Sequence, residues 1–122
     1  FRLMPQQPCE NGYILDYIAR TSIKQMDGGW TWKFDSKVMG PRRFGEPFGE
    51  ELKALKCRAA LIFGEKSAIV SRRTVAYMSS LMGPKAPVVE IPGAHHHVML
   101  DQPLAFIAAL RAILDIWTRN PS

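Results

Sequence analysis

Ile91-Pro92-Gly93-Ala94-His95-His96-His97-Val98-Met99-Leu100-Asp101-Gln102-Pro103 carries all three histidines of the 122-residue chain in one tripeptide. The stretch leaves the apolar run Pro87-Val88-Val89-Glu90-Ile91, passes a Pro-Gly turn and enters a helical pattern, so it reads as strand, loop, helix. Imidazole is the side chain whose ordinary pKa lies nearest neutrality, and a loop held by a rigid scaffold suits proton transfer. Residue type alone leaves polar loop filler and chance metal binding open beside that reading. Metal is the weaker of these, because consecutive residues do not converge readily on one tetrahedral centre. No Cys-x-x-Cys or His-Glu-x-x-His spacing supplies further ligands, and no metal is expected.

Outward from the loop, the flanking elements follow from periodicity. Downstream, Asp101 and Pro103 open a final helix with Phe106, Ile107, Leu110, Ile113, Leu114 and Trp117 on its apolar face, stopped at Asn120-Pro121. Upstream, Ser71 caps a helix through Met82 with Val75, Met78, Leu81 and Met82 on one face, and Gly83-Pro84 ends it. Cys57-Arg58-Ala59-Ala60-Leu61-Ile62-Phe63-Gly64 reads as a buried parallel strand. Strand, helix, strand, loop, helix is a βαβα unit with parallel strands and a right-handed crossover. Two such strands need cover on both faces and neighbours along their edges.

The first part of the chain is less regular. Residues 1–8 hold two prolines and read as an extended connector. Asn11 is placed to cap a short amphipathic helix reaching about Ser22, with Ile14, Tyr17, Ile18 and Thr21 on one stripe. Met26-Asp27-Gly28-Gly29-Trp30-Thr31-Trp32-Lys33-Phe34-Asp35 opens on a Gly-Gly turn and continues as a short strand or ordered loop. Trp30, Trp32 and Phe34 share a side if it is extended, a stripe that more often packs in a core or pocket wall than forms a dedicated ligand box. Residues 41–47 form a loop rich in Pro, Gly and Arg, and Glu50 to Leu55 reads as one or two helical turns.

Composition sets the class. Hydrophobic residues make up 47% and charged residues 22%, which is ordinary for a globular protein. The net charge of +5 is spread among acidic residues with no basic stripe, which argues against nucleic-acid binding. No apolar run is long enough to cross a bilayer and no leader pattern opens the chain, so a soluble cytoplasmic protein is expected, its Cys9 and Cys57 as free thiols. The first residue is Phe1 and not methionine, which together with the length suggests a piece of a larger fold.

The string from Pro92 to Pro103, followed by Leu104-Ala105-Phe106, resembles the histidine loop of α/β-hydrolases, which usually reads Pro-Gly-Ala-Gly-His, a few apolar residues, an acidic residue and Gln-Pro. The resemblance puts His96 on the catalytic base and His97 on a flanking wall against substrate, and sets His95 where the family has a glycine. Gly29-Trp30-Thr31-Trp32-Lys33-Phe34-Asp35 is similar to the end of the helical cap in one group of these enzymes, where Trp30 and Trp32 would line the substrate entrance. The resemblance implies an α/β fold, the C-terminal βαβα part of an α/β-hydrolase sheet preceded by a cap segment. Residues 1–48 would be partial cap and connector, and residues 49–122 part of the core.

After the first strand, Gly64-Glu65-Lys66-Ser67 stands where most of these enzymes have Gly-x-x-Asp, so Ser67 replaces the acid that orients the histidine. A serine does not offset an imidazolium charge, so the acid would come from elsewhere: some members of the family carry it after the preceding strand, which would lie upstream of Phe1, and Glu65 is the runner-up. No Gly-x-Ser-x-Gly nucleophile elbow occurs in the chain. The resemblance therefore implies a serine-type esterase acting on small ester substrates without a cofactor, of which this chain alone would be inactive. An Asp-nucleophile dehalogenase or epoxide hydrolase of the same fold is the second reading. A non-catalytic truncated module, pairing with itself or with a missing N-terminal part, is the third.

Overall fold

Leu61 to Gly64 and Val88 to Ile91 pair as parallel strands in the register Leu61↔Val88 through Gly64↔Ile91, with an 11-residue helix between them. The structure, a computed structural model, describes residues 3–35, 37 and 48–120. In chain order its elements are α1 (Gly12–Thr21), β1 (Ile23–Met26), β2 (Gly29–Trp32), α2 (Gly49–Lys53), β3 (Leu61–Gly64), α3 (Arg72–Met82), β4 (Val88–Ile91), α4 (Val98–Asp101) and α5 (Pro103–Arg119). The chain thus has the α/β class and, from β3 onward, the order of parallel strands and helices that the sequence implies.

The strands are shorter than their apolar runs. Cys57 to Ala60 stays outside β3, and pairing begins only at Leu61. The helices follow the sequence signals more closely. Ser71 Oγ accepts the Thr74 N–H at 3.1 Å, the N-cap bond that its hydroxyl predicts, and Gly83 ends α3 with φ +88. Arg72 in the first turn forks onto Glu90 of β4, with Nε donating to Oε2 at 3.0 Å and Nη2 to Oε1 at 2.7 Å, which ties helix to strand.

The core sits where β4, the loop after it and α5 meet. Ile91, Ala94 and Val98 form its centre, with Ile62, Val89, Phe106 and Ala109 packed against them. Phe63, Val75, Leu100 and Ile113 are buried as well. The expected apolar face of α5 splits: Phe106 and Ile113 turn inward, while Ile107, Leu110 and Leu114 remain substantially exposed beside Leu104. A further turn, α4, precedes α5; the residues read as one helix start are two, because Gln102 (φ −129) breaks the helical path ahead of Pro103.

Before residue 36 the chain forms α1 and an antiparallel hairpin. The hairpin turns through Asp27-Gly28, since Met26 pairs with Gly29, and Gly28 takes φ +93. Asp-Gly between paired strands is a strong hairpin signal, so the turn lies one residue before the expected Gly-Gly. The partner strand, Ile23 to Met26, carries no clear alternation that would mark it in the sequence. Asn11 stands at the N-cap of α1 but makes no side-chain cap bond; its amide donates instead to the carbonyls of Leu100 at 2.6 Å and Asp101 at 3.1 Å. The expected loop at 41–47 lies outside the described residues. No helix among the described residues is long and apolar enough to cross a membrane.

Two predictions follow from these contacts. A Cβ on Gly64 would stand 2.1 Å from the His95 carbonyl oxygen and 2.5 Å from that of Ala94, both backbone atoms. Gly64→Ala should therefore destabilise the chain by about 1–3 kcal/mol, the usual cost of overpacking; an unchanged urea midpoint would show that the two backbones do not approach this closely. The fork from Arg72 holds the Glu90 carboxyl below the ordinary carboxylate range. A depressed folded-state value adds stability at pH above the unfolded carboxylate's titration and loses it as pH falls through the folded value. Glu90→Gln should flatten that acid-side part of the stability curve, an effect kept small by the exposure of Arg72 and weakened further by salt.

Candidate active site

The loops that leave β3 and β4 are bound to each other, and that binding brings the histidines to the end of the sheet. Pro92 and Gly93, with φ +72 at the glycine and a bond from Ala94 N–H to Ile91 C=O, form the Pro-Gly turn. Glu65 N–H donates to the Ile91 carbonyl at 3.1 Å and Lys66 N–H to that of Ala94 at 2.8 Å. The Glu65 carboxylate accepts the Gly93 N–H at 2.8 Å. Glu65, the acid candidate, is thus engaged with the turn backbone. The bond given to the His96 ring goes to Ser67, whose Oγ lies 3.2 Å from Nδ1.

Ser67 is well fixed for this. Its Oγ also accepts the N–H of Val70 at 3.0 Å and of Ile69 at 3.4 Å. With both lone pairs engaged, what the hydroxyl offers His96 is its proton, which places the neutral imidazole's own hydrogen on Nε2. His96 is half-buried, and its ring meets His97 edge-on with centroids 5.3 Å apart.

His95 takes another partner. The Asp101 carboxylate, 8% exposed, has Oδ2 at 2.6 Å from the His95 backbone N–H and 2.9 Å from its Nδ1. The glycine that the family resemblance places here is not needed for backbone freedom: among the described residues no non-glycine has positive φ. His97 is braced by the connector, its N–H donating to Gln7 Oε1 at 2.8 Å and its Nε2 lying 3.2 Å from the Met4 carbonyl. Gln7 Nε2 in turn reaches both Asp101 oxygens at 3.2 Å. Asp101, Gln7 and Asn11 are the site-supporting residues that sequence reasoning missed. Only Asp101 carried a signal, as an acid in the histidine-loop pattern.

Trp30 and Trp32 lie on β2, 67% and 42% exposed, and Trp32 stacks on Phe34 with centroids 5.8 Å apart. The aromatic stripe is therefore an exposed surface here and not core. A cavity of about 170 Å³ opens beside His95, Asp101, Lys66, Glu10 and Gln102. A larger one, about 570 Å³, lies among Leu52, Leu81, Met82 and Trp117 and includes none of the predicted site residues. Among the described residues no group of three or more His, Cys, Asp or Glu is placed to hold a metal ion.

No protein-family model matches the chain, and no curated protein does. Solved structures do. An E-2-(acetamidomethylene)succinate hydrolase matches with 27% identity and a TM-score of 0.67, over 80% of this chain and 37% of that one. A thioesterase domain from the curacin biosynthetic pathway matches with 22% identity and a TM-score of 0.51, over 80% of this chain and 33% of its own, which speaks for the fold alone. The chain spans about a third of the length of these structures. A parallel strand pair with its helices, a histidine loop at the strand ends and these neighbours together show that the chain has part of the α/β-hydrolase fold.

Proposed function

We propose that this chain supplies the histidine arm of a serine-type hydrolase acting on carboxylic ester bonds, with His96 as the proton-transfer residue. The observation that supports this most is the His96 ring bonded at Nδ1 to the loop after β3, on a chain that resembles a hydrolase over four-fifths of its length. In this reading residues 1–48 belong to a cap and its connector and residues 49–122 to the core. Trp30, Trp32 and His97 face the substrate, a small ester. A serine outside this sequence attacks the acyl carbon, His96 takes its proton at Nε2, and the imidazolium then protonates the leaving group.

Ser67 shapes that chemistry. For Nε2 to accept a proton, the Ser67 hydroxyl turns so that Nδ1–H donates to it, at the expense of the longer bond from Ile69, a change of about 1 kcal/mol. The hydroxyl then orients the ring but adds no charge to balance the imidazolium. Exchanging an orienting carboxylate for a neutral group costs about 10⁴-fold in kcat in the serine proteases. The Ser67 site is accordingly a slow one unless an acid from another part of the fold, or Glu65 after leaving the Gly93 N–H, reaches Nδ1.

A second reading has its own support. Leu104, Ile107, Leu110 and Leu114 expose one stripe of α5, and among the described residues β3 and β4 pair with each other alone, which suits a non-catalytic module that self-associates.

In an enzyme that joins this chain to a nucleophile-bearing half, His96→Ala should lower kcat for a short aryl ester by about 10⁴-fold or more while the fold persists; retained turnover removes His96 from the mechanism. Sedimentation of the 122-residue chain separates the two readings, since a stable monomer with a cooperative melt contradicts self-association.

A further inference from the structure

We infer that His95, oriented by Asp101, is a second proton acceptor in this tripeptide, distinct from His96. The partners of the three rings fix where each neutral imidazole keeps its hydrogen. Asp101 receives the His95 N–H, the His95 ring and the Gln7 amide, and the ionised carboxylate only accepts. Nδ1 of His95 therefore carries the hydrogen, and Nε2 keeps its lone pair. The Met4 carbonyl likewise only accepts, so His97 carries its hydrogen on Nε2. His96 does the same at rest, for the reason given by the engaged lone pairs of Ser67. Of three adjacent histidines, His95 alone thus holds an unprotonated Nε2.

The pair has the parts of an acid–base couple. The carboxylate is nearly buried, so its attraction for an imidazolium is little screened, and it is pinned by the His95 backbone N–H and by Gln7. The His95 side chain keeps 28% of its surface and lines the 170 Å³ cavity with Lys66, Glu10 and Gln102. That space suits a water or a small hydroxyl compound. In the step assigned to it, the proton of the ligand O–H passes to His95 Nε2, the Nδ1 hydrogen stays between ring and carboxylate, and the products are an imidazolium–carboxylate pair and an oxyanion. Lys66, on the same cavity, favours the anion, and Glu10 opposes it. Asp101 acts through His95 and is a positioning residue.

The test is a long-range proton–nitrogen correlation spectrum of the ¹⁵N-histidine chain at about pH 8, above the ordinary imidazole range, with rings assigned by single His→Gln variants. His95 should show a protonated Nδ1 and a bare Nε2, and His97 the reverse. Asp101→Asn should blur the His95 pattern toward a mixture and leave that of His97 unchanged, whereas His96→Gln should leave His95 as it was. Independently of any variant, diethyl pyrocarbonate, which acylates an unprotonated imidazole nitrogen, should place its carbethoxy group on Nε2 of His95, the nitrogen that keeps its lone pair. A hydrogen found on Nε2 of His95, a His95 pattern indifferent to Asp101→Asn, or a carbethoxy group on Nδ1 of His95 overturns the inference. None of these results bears on the loss of turnover expected for His96→Ala, so the two roles stand or fall separately.

Discussion

The backbone of Gly64 lies directly against the carbonyls of Ala94 and His95, and the site depends on that approach. Any side chain at position 64 would occupy the space through which the histidine loop closes over the end of β3. Because the gap is left open, Glu65 and Lys66 donate to Ile91 and Ala94, and two loops joined by bonds between residues 26 and 28 apart behave as one piece. Ser67 then faces His96 as a consequence of backbone bonding and not of any strong attraction between the two side chains.

On this base the polar groups divide the work. Glu65 steadies the turn, Asp101 steadies the start of the tripeptide, and the connector and the start of α1 bring Gln7 and Asn11 against the same few residues. Hydrogen bonds to charged groups contribute about 1.5–3 kcal/mol each, more than neutral pairs, so a nearly buried Asp101 with three donors is a firmer anchor than the hydroxyl behind His96. The consequence is an uneven site: the family's histidine position has the weaker support, and the position where the family has glycine has the stronger.

Much of the core was legible in the sequence because local chemistry and tertiary packing agree there. Ser71 and Gly83 bound α3 as caps do, the run from Val88 to Ile91 is a strand, and Pro92-Gly93 turns. What remained hidden depends on partners far along the chain. The cap expected of Asn11 gave way to two carbonyls near residue 100, and β1 exists only because β2 pairs with it. Nothing in a proline-rich lead-in foretells that Gln7 and Met4 brace His97. The aromatic stripe at Trp30 and Trp32 suggests packing but is exposed, since alternation reveals a shared side but not what covers it. At the site, the sequence marked the substitution at Ser67 but not the pairing of His95 with Asp101, because the resemblance sets His95 where the family usually has a glycine.

The account rests on His96 standing over Ser67 and away from Glu65. Proton–proton Overhauser contacts of the His96 ring in the folded chain measure this directly. We expect contacts from the ring hydrogen beside Nδ1 to the Ser67 β-protons, with Glu65 side-chain protons contacting Gly93 instead; a His96 ring that contacts Glu65 and not Ser67 would contradict the account.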